Sequence, residues 1–489
     1  MVSRARASSS QPQPALRTAC VFGLFALFAW GFILWDLDPE GASIVLQPQE
    51  VEDLLSAYDL PAETPANIPA EIPALDTAAV TPLEPPVADH IAPVKLDSAS
   101  LHLRLRLQAD SIGWAQLNRF FERLVELERR PESDPIHVLH YGDSQLEGDR
   151  ITGPLRDLWQ KRWGGFGPGM HAAVPLVPSM GLRQGHSEEW VRHTFYGRRD
   201  TSLGHKDYGL LATFAQLDSG FTSGQLTFSP HPSSYRLNRQ WERIRLWHGP
   251  AADSCRMEIW LDDSLRAEHV WSKGDPAAAL NWPIEQGALR MDFNGIPPRL
   301  HAVEFAGPGI QMHNIPMRGS SGTLFRKLER APLVAQWKEL NPALVVLQYG
   351  GNTVPYCRDS IGAQRYGGWF ASQIRLFKSR LPGTAIIAIG PSDMARKTGA
   401  NYASYPMVGE VRDAMREVCL KEGIAFWDLL DVMGGEGSMP GWVATTPPLA
   451  GADHVHFTPR GSNKVATLFD RSVMHAFDQW KIELPNAPD

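Results

Sequence analysis

The spacing of apolar positions changes twice along this chain. Between Asp110 and Arg130 they recur at helical intervals (Leu117, Phe120, Phe121, Leu124, Leu127), and Asp110 and Ser111 suit an N-terminus, which predicts a helix over 112–130. Residues 136–141 form a short apolar run that reads as a buried strand ending at Gly142-Asp143-Ser144. A second amphipathic helix is expected over 149–163. Beyond Phe325 the alternation resumes: helix 324–340 and strand 343–349, helix 367–380 and strand 384–389, helix 407–421 and strand 424–429, then a last helix over 460–480. Helices alternating with short apolar strands predict an α/β fold, a doubly wound parallel sheet covered on both faces. Between about 185 and 315 the period drops towards two, as where Arg243 and Arg245 alternate with Ile244 and Leu246, and Gly, Pro and Asp punctuate the segments. That texture predicts an all-β sandwich, inserted because the α/β pattern begins before it and finishes after it.

The first hundred residues follow another rule. Residues 19–35 carry no charge, and as a helix they span roughly 26 Å, close to a ~30 Å hydrocarbon core. Arg4, Arg6 and Arg17 precede the run, and acidic residues follow it. The expectation is a single transmembrane anchor over 19–35, with a cytoplasmic N-terminus over 1–18 and the remainder extracytoplasmic. A cleaved signal peptide is the competing reading, although no A-x-A site follows. Residues 36–97 hold thirteen acids, one lysine and ten prolines. A stretch so poor in buriable surface predicts a disordered linker over 36–100. The remaining divisions are 101–184 and 316–489 for the two parts of the α/β domain and 185–315 for the insert.

Composition narrows the function. A net charge of −7 gives no basic footprint for nucleic acid. Cys20, Cys255, Cys357 and Cys419 match no zinc or redox spacing, no H-E-x-x-H occurs, and neither cofactor nor metal is expected. The glycine run 164–169 lacks the Lys-Ser/Thr of a phosphate loop and reads as a turn, bordering a crevice at most.

Four short segments carry candidate chemistry. Gly142-Asp143-Ser144 and Gly350-Gly351-Asn352 each follow a buried strand, and in open α/β sheets ligands bind beyond those strand ends. Arg318–Thr323 is a glycine turn placed at the head of the helix expected over 324–340, where backbone N–H groups can receive an oxyanion. Asp453-His454-Val455-His456 precedes Thr458-Pro459, a helix start. A carboxylate three residues before a histidine can hold its ring, leaving the other nitrogen to take a proton from a serine.

In this order the four segments resemble the blocks of the SGNH (GDSL-type) hydrolase superfamily. The resemblance implies a three-layer α/β/α domain with Ser144, Asp453 and His456 as catalytic residues, and with Ser144 (through its N–H), Gly319 and Asn352 as the oxyanion hole. His454 is then a bystander. Two departures stand out: Met317 occupies a position where the family often has asparagine, and Gln145 stands where leucine usually follows the serine. Gln145 and Glu147 are open to a polar substrate or to helix-end solvation. An inserted sandwich is similar to that of peptidoglycan O-acetylesterases. The implied activity is removal of O-acyl groups, acetyl above all, from peptidoglycan or another envelope polysaccharide. An O-acetyltransferase using the same triad and an inactive glycan-binding protein are the alternatives. Trp190, Tyr196, Trp241, Trp247, Trp260, Trp271 and Trp282 of the insert either stack on sugars or fill its core, and His140 reads as strand packing.

Overall fold

A computed structural model describes residues 104–197 and 199–483, so the anchor and the linker fall outside the described residues. Among the described residues no helix is long and apolar enough to cross a membrane.

Among the described residues the first long helix is α1 (Ser111–Arg129), where Asp110 accepts the Gly113 N–H at 2.8 Å. Strand β1 (Ile136–Gly142), a 3-10 segment (Ser144–Asp149) and α2 (Thr152–Trp163) follow. A run of strands comes next: β2 (Gly169–His171), β3 (Leu182–His186), β4 (Trp190–Thr194), β5 (Thr213–Leu217), β6 (Ser223–Pro230) and β7 (Arg243–His248), then β8 (Cys255–Leu261), β9 (Ser264–Trp271), β10 (Ala278–Trp282), β11 (Leu289–Gly295) and β12 (Leu300–Ala306). The α/β pattern returns with β13 (Ile310–Pro316), α3 (Arg330–Leu340), β14 (Leu344–Gln348), α4 (Ser360–Arg380) and β15 (Ala385–Ile389). The hairpin β16 (Ala395–Thr398) and β17 (Asn401–Ser404) leads to α5 (Val408–Lys421), β18 (Ala425–Trp427), α6 (Leu429–Met433), α7 (Ser438–Ala444) and α8 (Pro459–Glu483).

Strands β13-β1-β14-β15-β18, in that order, form one parallel sheet. Every residue of β1, β14 and β15 is buried, as expected when helices cover both faces. Alternate side chains take opposite sides. Leu139, Val345, Leu347 and Ile386 meet Trp337, Phe370, Phe377 and Met415 of α3–α5. Val138, Leu344, Val346 and Ile387 meet Phe120, Trp159, Phe469 and Phe477 of α1, α2 and α8. From β1 the chain runs to β13 on one side and to β14 on the other, so a switch-point crevice opens beyond the carboxyl ends of β1 and β14.

The inserted strands form two further antiparallel sheets, β10-β7-β12-β5-β4 (with β2 against β12) and β3-β6-β11-β8-β9. Leu226, Met257, Ile259 and Met291 of one meet Ile244, Leu246, Val303 and Phe305 of the other in a shared core. The opposite face of the first sheet sends Phe214, Trp247 and Ala302 into the α3–α5 side of the parallel domain. The insert is therefore packed onto that domain through shared apolar surface.

Three of the differences from the sequence expectation concern the domain boundary and the glycine turns. The boundary at 315 cuts through β13, which pairs with β1 over its whole length, Ile136 opposite Ile310 to Gly142 opposite Pro316, while β2 joins the insert ahead of 185. Nothing local distinguishes IQMHNIP from the short strands before it; only its pairing partner does. The helix expected over 324–340 begins at Arg330, after a 3-10 turn, so the Arg318–Thr323 turn heads no helix. The glycine run 164–169 packs against β12 and β13, with Gly165 bridging Gly309 and Phe166 O accepting from Gln311 Nε2, away from the switch point.

Candidate active site

Ser144 is delivered by the end of β1. There Asp143 is extended, and its Oδ1 accepts the Gln145 N–H at 3.0 Å, which starts the 3-10 turn. Asp149 closes that turn with φ +67° and a buried bidentate pair to Arg156 (2.7 and 3.0 Å), whose Nε also donates to Met312 O. The turn is thus pinned to the edge strand.

His456 arrives on the loop before α8. Ser144 Oγ lies 2.8 Å from His456 Nε2, and His456 Nδ1 lies 2.7 Å from Asp453 Oδ2. A carboxylate can only accept, so the ring proton sits on Nδ1 and the bare Nε2 accepts the Ser144 hydroxyl. Asp453 Oδ1 accepts the Val455 and His456 N–H groups at 3.0 and 3.1 Å. Burial acts to raise the Asp453 pKa, but these hydrogen bonds and the imidazole prevail and hold it at about 2.

The other two segments converge on the same spot. Gly350 adopts φ +113°, and a side chain there would strike Met415 and Pro391, so the turn after β14 needs glycine. Asn352 Nδ2 donates to Asp143 Oδ2 at 3.1 Å and to Ser320 O at 3.3 Å, which joins three of the four segments. Burial raises the Asp143 carboxyl to about 6 against the hydrogen bonds from the Gln145 N–H and Asn352. Gly319 adopts φ +72° in the turn after β13. The Ser320 and Gly322 N–H groups there are taken by Met317 O and Ser320 Oγ, whereas those of Gly319 and Ser144 have no protein acceptor among the described residues.

Several residues act differently from what sequence suggested. Gln145 is buried, and its amide spans His456: Nε2 donates to Val455 O at 2.8 Å and Oε1 accepts the Phe457 N–H at 3.2 Å. Arg150 donates to Ser144 O (3.1 Å) and Phe457 O (3.3 Å). Glu147 pairs bidentately with Arg318 at 2.6 and 2.7 Å. His454 stacks on Tyr402 of β17 at 3.6 Å, and its carbonyl accepts from Ala395 of β16, so the hairpin braces the histidine loop. His140 packs between Gln348 and Thr152. Trp190, Tyr196, Trp241, Trp247 and Trp271 are buried in the protein, while Trp260 and Trp282 are partly exposed. Asp143, Arg150 and the bracing hairpin escaped the sequence reading; an aspartate before the serine was visible, but its partner Asn352 lies 209 residues away.

Among the described residues, His137, Glu304 and His313 are the group whose ligand atoms approach closely enough for a metal ion. Their hydrogen bonding opposes one. His313 Nδ1 accepts the Met170 N–H at 3.1 Å, so its proton sits on Nε2 and goes to His137 Nδ1 at 2.9 Å. A ligating imidazole instead presents a bare nitrogen and donates with the other. The group also lies at the start of β1, roughly 16 Å from its catalytic end.

The model of the GDSL-like lipase/acylhydrolase family matches residues 287–464, which include Gly319, Asn352, Asp453 and His456. That stretch is a domain of the GDSL-like lipase/acylhydrolase type. Ser144 lies outside the matched span, which begins within the inserted strands. No curated protein matches the sequence. A solved structure of a peptidoglycan O-acetylesterase, 20% identical, superposes with a TM-score of 0.58 over 74% of this hydrolase and 96% of that chain. Smaller overlaps occur with an acetyl xylan esterase (16% identity, 34% of this chain and 81% of that one, TM-score 0.26) and a family two carbohydrate esterase from Cellvibrio japonicus (9%, 61% and 99%, TM-score 0.24). The hydrolase is an enzyme of the SGNH esterase type, an acyl hydrolase with extra β-sheets.

Proposed function

We propose that this hydrolase removes O-acyl groups, acetyl first among them, from peptidoglycan or another envelope polysaccharide. The observation that carries the reading is the hydrogen-bonded chain from Ser144 through His456 to Asp453. Ser144 Oγ attacks the acyl carbonyl carbon and passes its proton to His456 Nε2, while Asp453 steadies the imidazolium. The Ser144 and Gly319 N–H groups receive the developing oxyanion, joined by Asn352 once it exchanges its long contact with Ser320 O. His456 returns the proton to the departing sugar oxygen, leaving acyl-Ser144. Water then attacks the acyl carbon, giving a proton to His456, which passes it to Ser144 Oγ as the Oγ–acyl bond breaks and the acid product leaves. The shared fold of a peptidoglycan O-acetylesterase supports a glycan ester as substrate. The same chemistry with a sugar acceptor gives an O-acetyltransferase; the half-exposed Asp453 and His456 side chains leave the triad open to water and favour hydrolysis. In this reading the run 19–35 anchors the enzyme and its domain works outside the cytoplasm.

The test is acetate release from O-acetylated peptidoglycan. Ser144→Ala and His456→Ala should each lower kcat by at least about 10⁴-fold, and unchanged turnover in either refutes the assignment. Acetyl appearing on an added sugar acceptor in place of free acetate would move the enzyme to the transferase class.

A further inference from the structure

We propose that the cleft between the Ser144 turn and the insert is a subsite for a carboxylate group of the substrate, held by Arg192, so that the acylated sugar is an acidic one. This deepens the esterase reading above and rests on it for the reaction.

The cleft is lined by Glu147 and Asp149 of the Ser144 turn, by Asn314 and Pro316 of β13, and by Arg192 and Tyr196 of the insert. Pro316 pairs with Gly142, two residues before Ser144, so β13 lies one strand spacing, about 5 Å, from the chain that bears the serine. The insert therefore lines a cleft that comes within a few residues of Ser144 along the chain.

The charges on these walls do not balance. Glu147 is occupied bidentately by Arg318, and Asp149 by Arg156. Arg192 has no carboxylate partner among the described residues: Nη1 donates to Pro175 O at 2.5 Å, and Nε is buried without an acceptor. A guanidinium offers five N–H donors, and withdrawing one from water without an anion is costly. Burial, with the nearby Arg318 charge, lowers the Arg192 pKa, and the Tyr196 hydroxyl only partly counters this. A carboxylate entering the cleft would supply the missing acceptors in the forked geometry that arginine favours.

A uronic acid and an amino sugar with a lactyl ether both present that chemistry. Calorimetry with the full-length Ser144→Ala protein would measure binding of O-acetylated oligosaccharides of each kind, as free acid and as methyl ester. The free acid should bind about 10–100-fold tighter than its ester, the range for a hydrogen bond to a charged group, and the kind that shows the gap names the source of the carboxylate. Adding Arg192→Gln should bring the acid to the level of the ester, with Arg192→Lys in between. Equal binding of acid and ester in both kinds, or no measurable binding of either acid, overturns the proposal on the Ser144→Ala protein itself, without relying on the Arg192 variants folding. The esterase reading would stand or fall separately, on Ser144-dependent acetate release.

Discussion

Replacing Gln145 by leucine, the residue more usual after the serine in this family, should damage catalysis more than substrate binding. The Gln145 amide holds the main chain on both sides of His456, at Val455 O (2.8 Å) and the Phe457 N–H (3.2 Å), in a buried setting. Leucine fills similar space but offers neither partner. A buried backbone group left unpaired costs about 1–3 kcal/mol, so the loop relaxes towards water or nearby donors. It keeps the Arg150 contact at Phe457 O, the Asp453 turn and the His454–Tyr402 stack, and so should shift without unfolding. A displacement of roughly 1 Å in a reacting pair costs about 100-fold in rate. The expected result is a kcat lower by about 10–100-fold on 4-nitrophenyl acetate, with KM within about two-fold. Gln145→Glu should be no better, because a carboxylate keeps the Phe457 contact and faces the Val455 carbonyl with negative charge. Full Michaelis–Menten curves, paired with thermal melts, make the check. A normal kcat alongside a lowered melting temperature would show that the amide only stabilises the fold.

Acid should destabilise the fold. Burial holds His137, His140 and His171 at a pKa of about 3, against about 6.5 when unfolded, so between these values the unfolded chain binds more protons and stability falls as pH falls, by about 1.4 kcal/mol per pH unit for each histidine. Asp143, raised to about 6, works in the opposite sense and offsets about one of the three below pH 6. The melting temperature should drop by several degrees from pH 7 to pH 5, and a flat or rising profile contradicts this. Asp149→Ala leaves the fully buried Arg156 without its counter-charge and should cost about 3–5 kcal/mol in urea unfolding; a loss under 1 kcal/mol would mean that Met312 O and water suffice.

The segments of chemistry were legible because each sits at a local boundary: a strand end followed by small polar residues, or a Thr-Pro helix start. The layered α/β pattern was legible for the same reason, since periodicity repeats within ten residues or so. The roles of Gln145 and Glu147 were not, because each partner lies more than 160 residues away and many polar residues could have served. The aromatics of the insert were ambiguous from sequence, where a core Trp and a sugar-stacking Trp look alike, and most of those singled out are buried.

Taken alone, the sequence determined most of the longer helices and strands and the residues capable of acyl chemistry, because short-range spacing and turn chemistry are written into neighbouring positions. The tertiary structure alone decided that β13 belongs to the parallel sheet, that Ser144 and His456 meet across 312 residues, and that Arg192 of the insert lines a cleft with Glu147 and Asp149. Those outcomes depend on which strands pair and which faces bury, and such long-range choices are made by the packing of the whole domain.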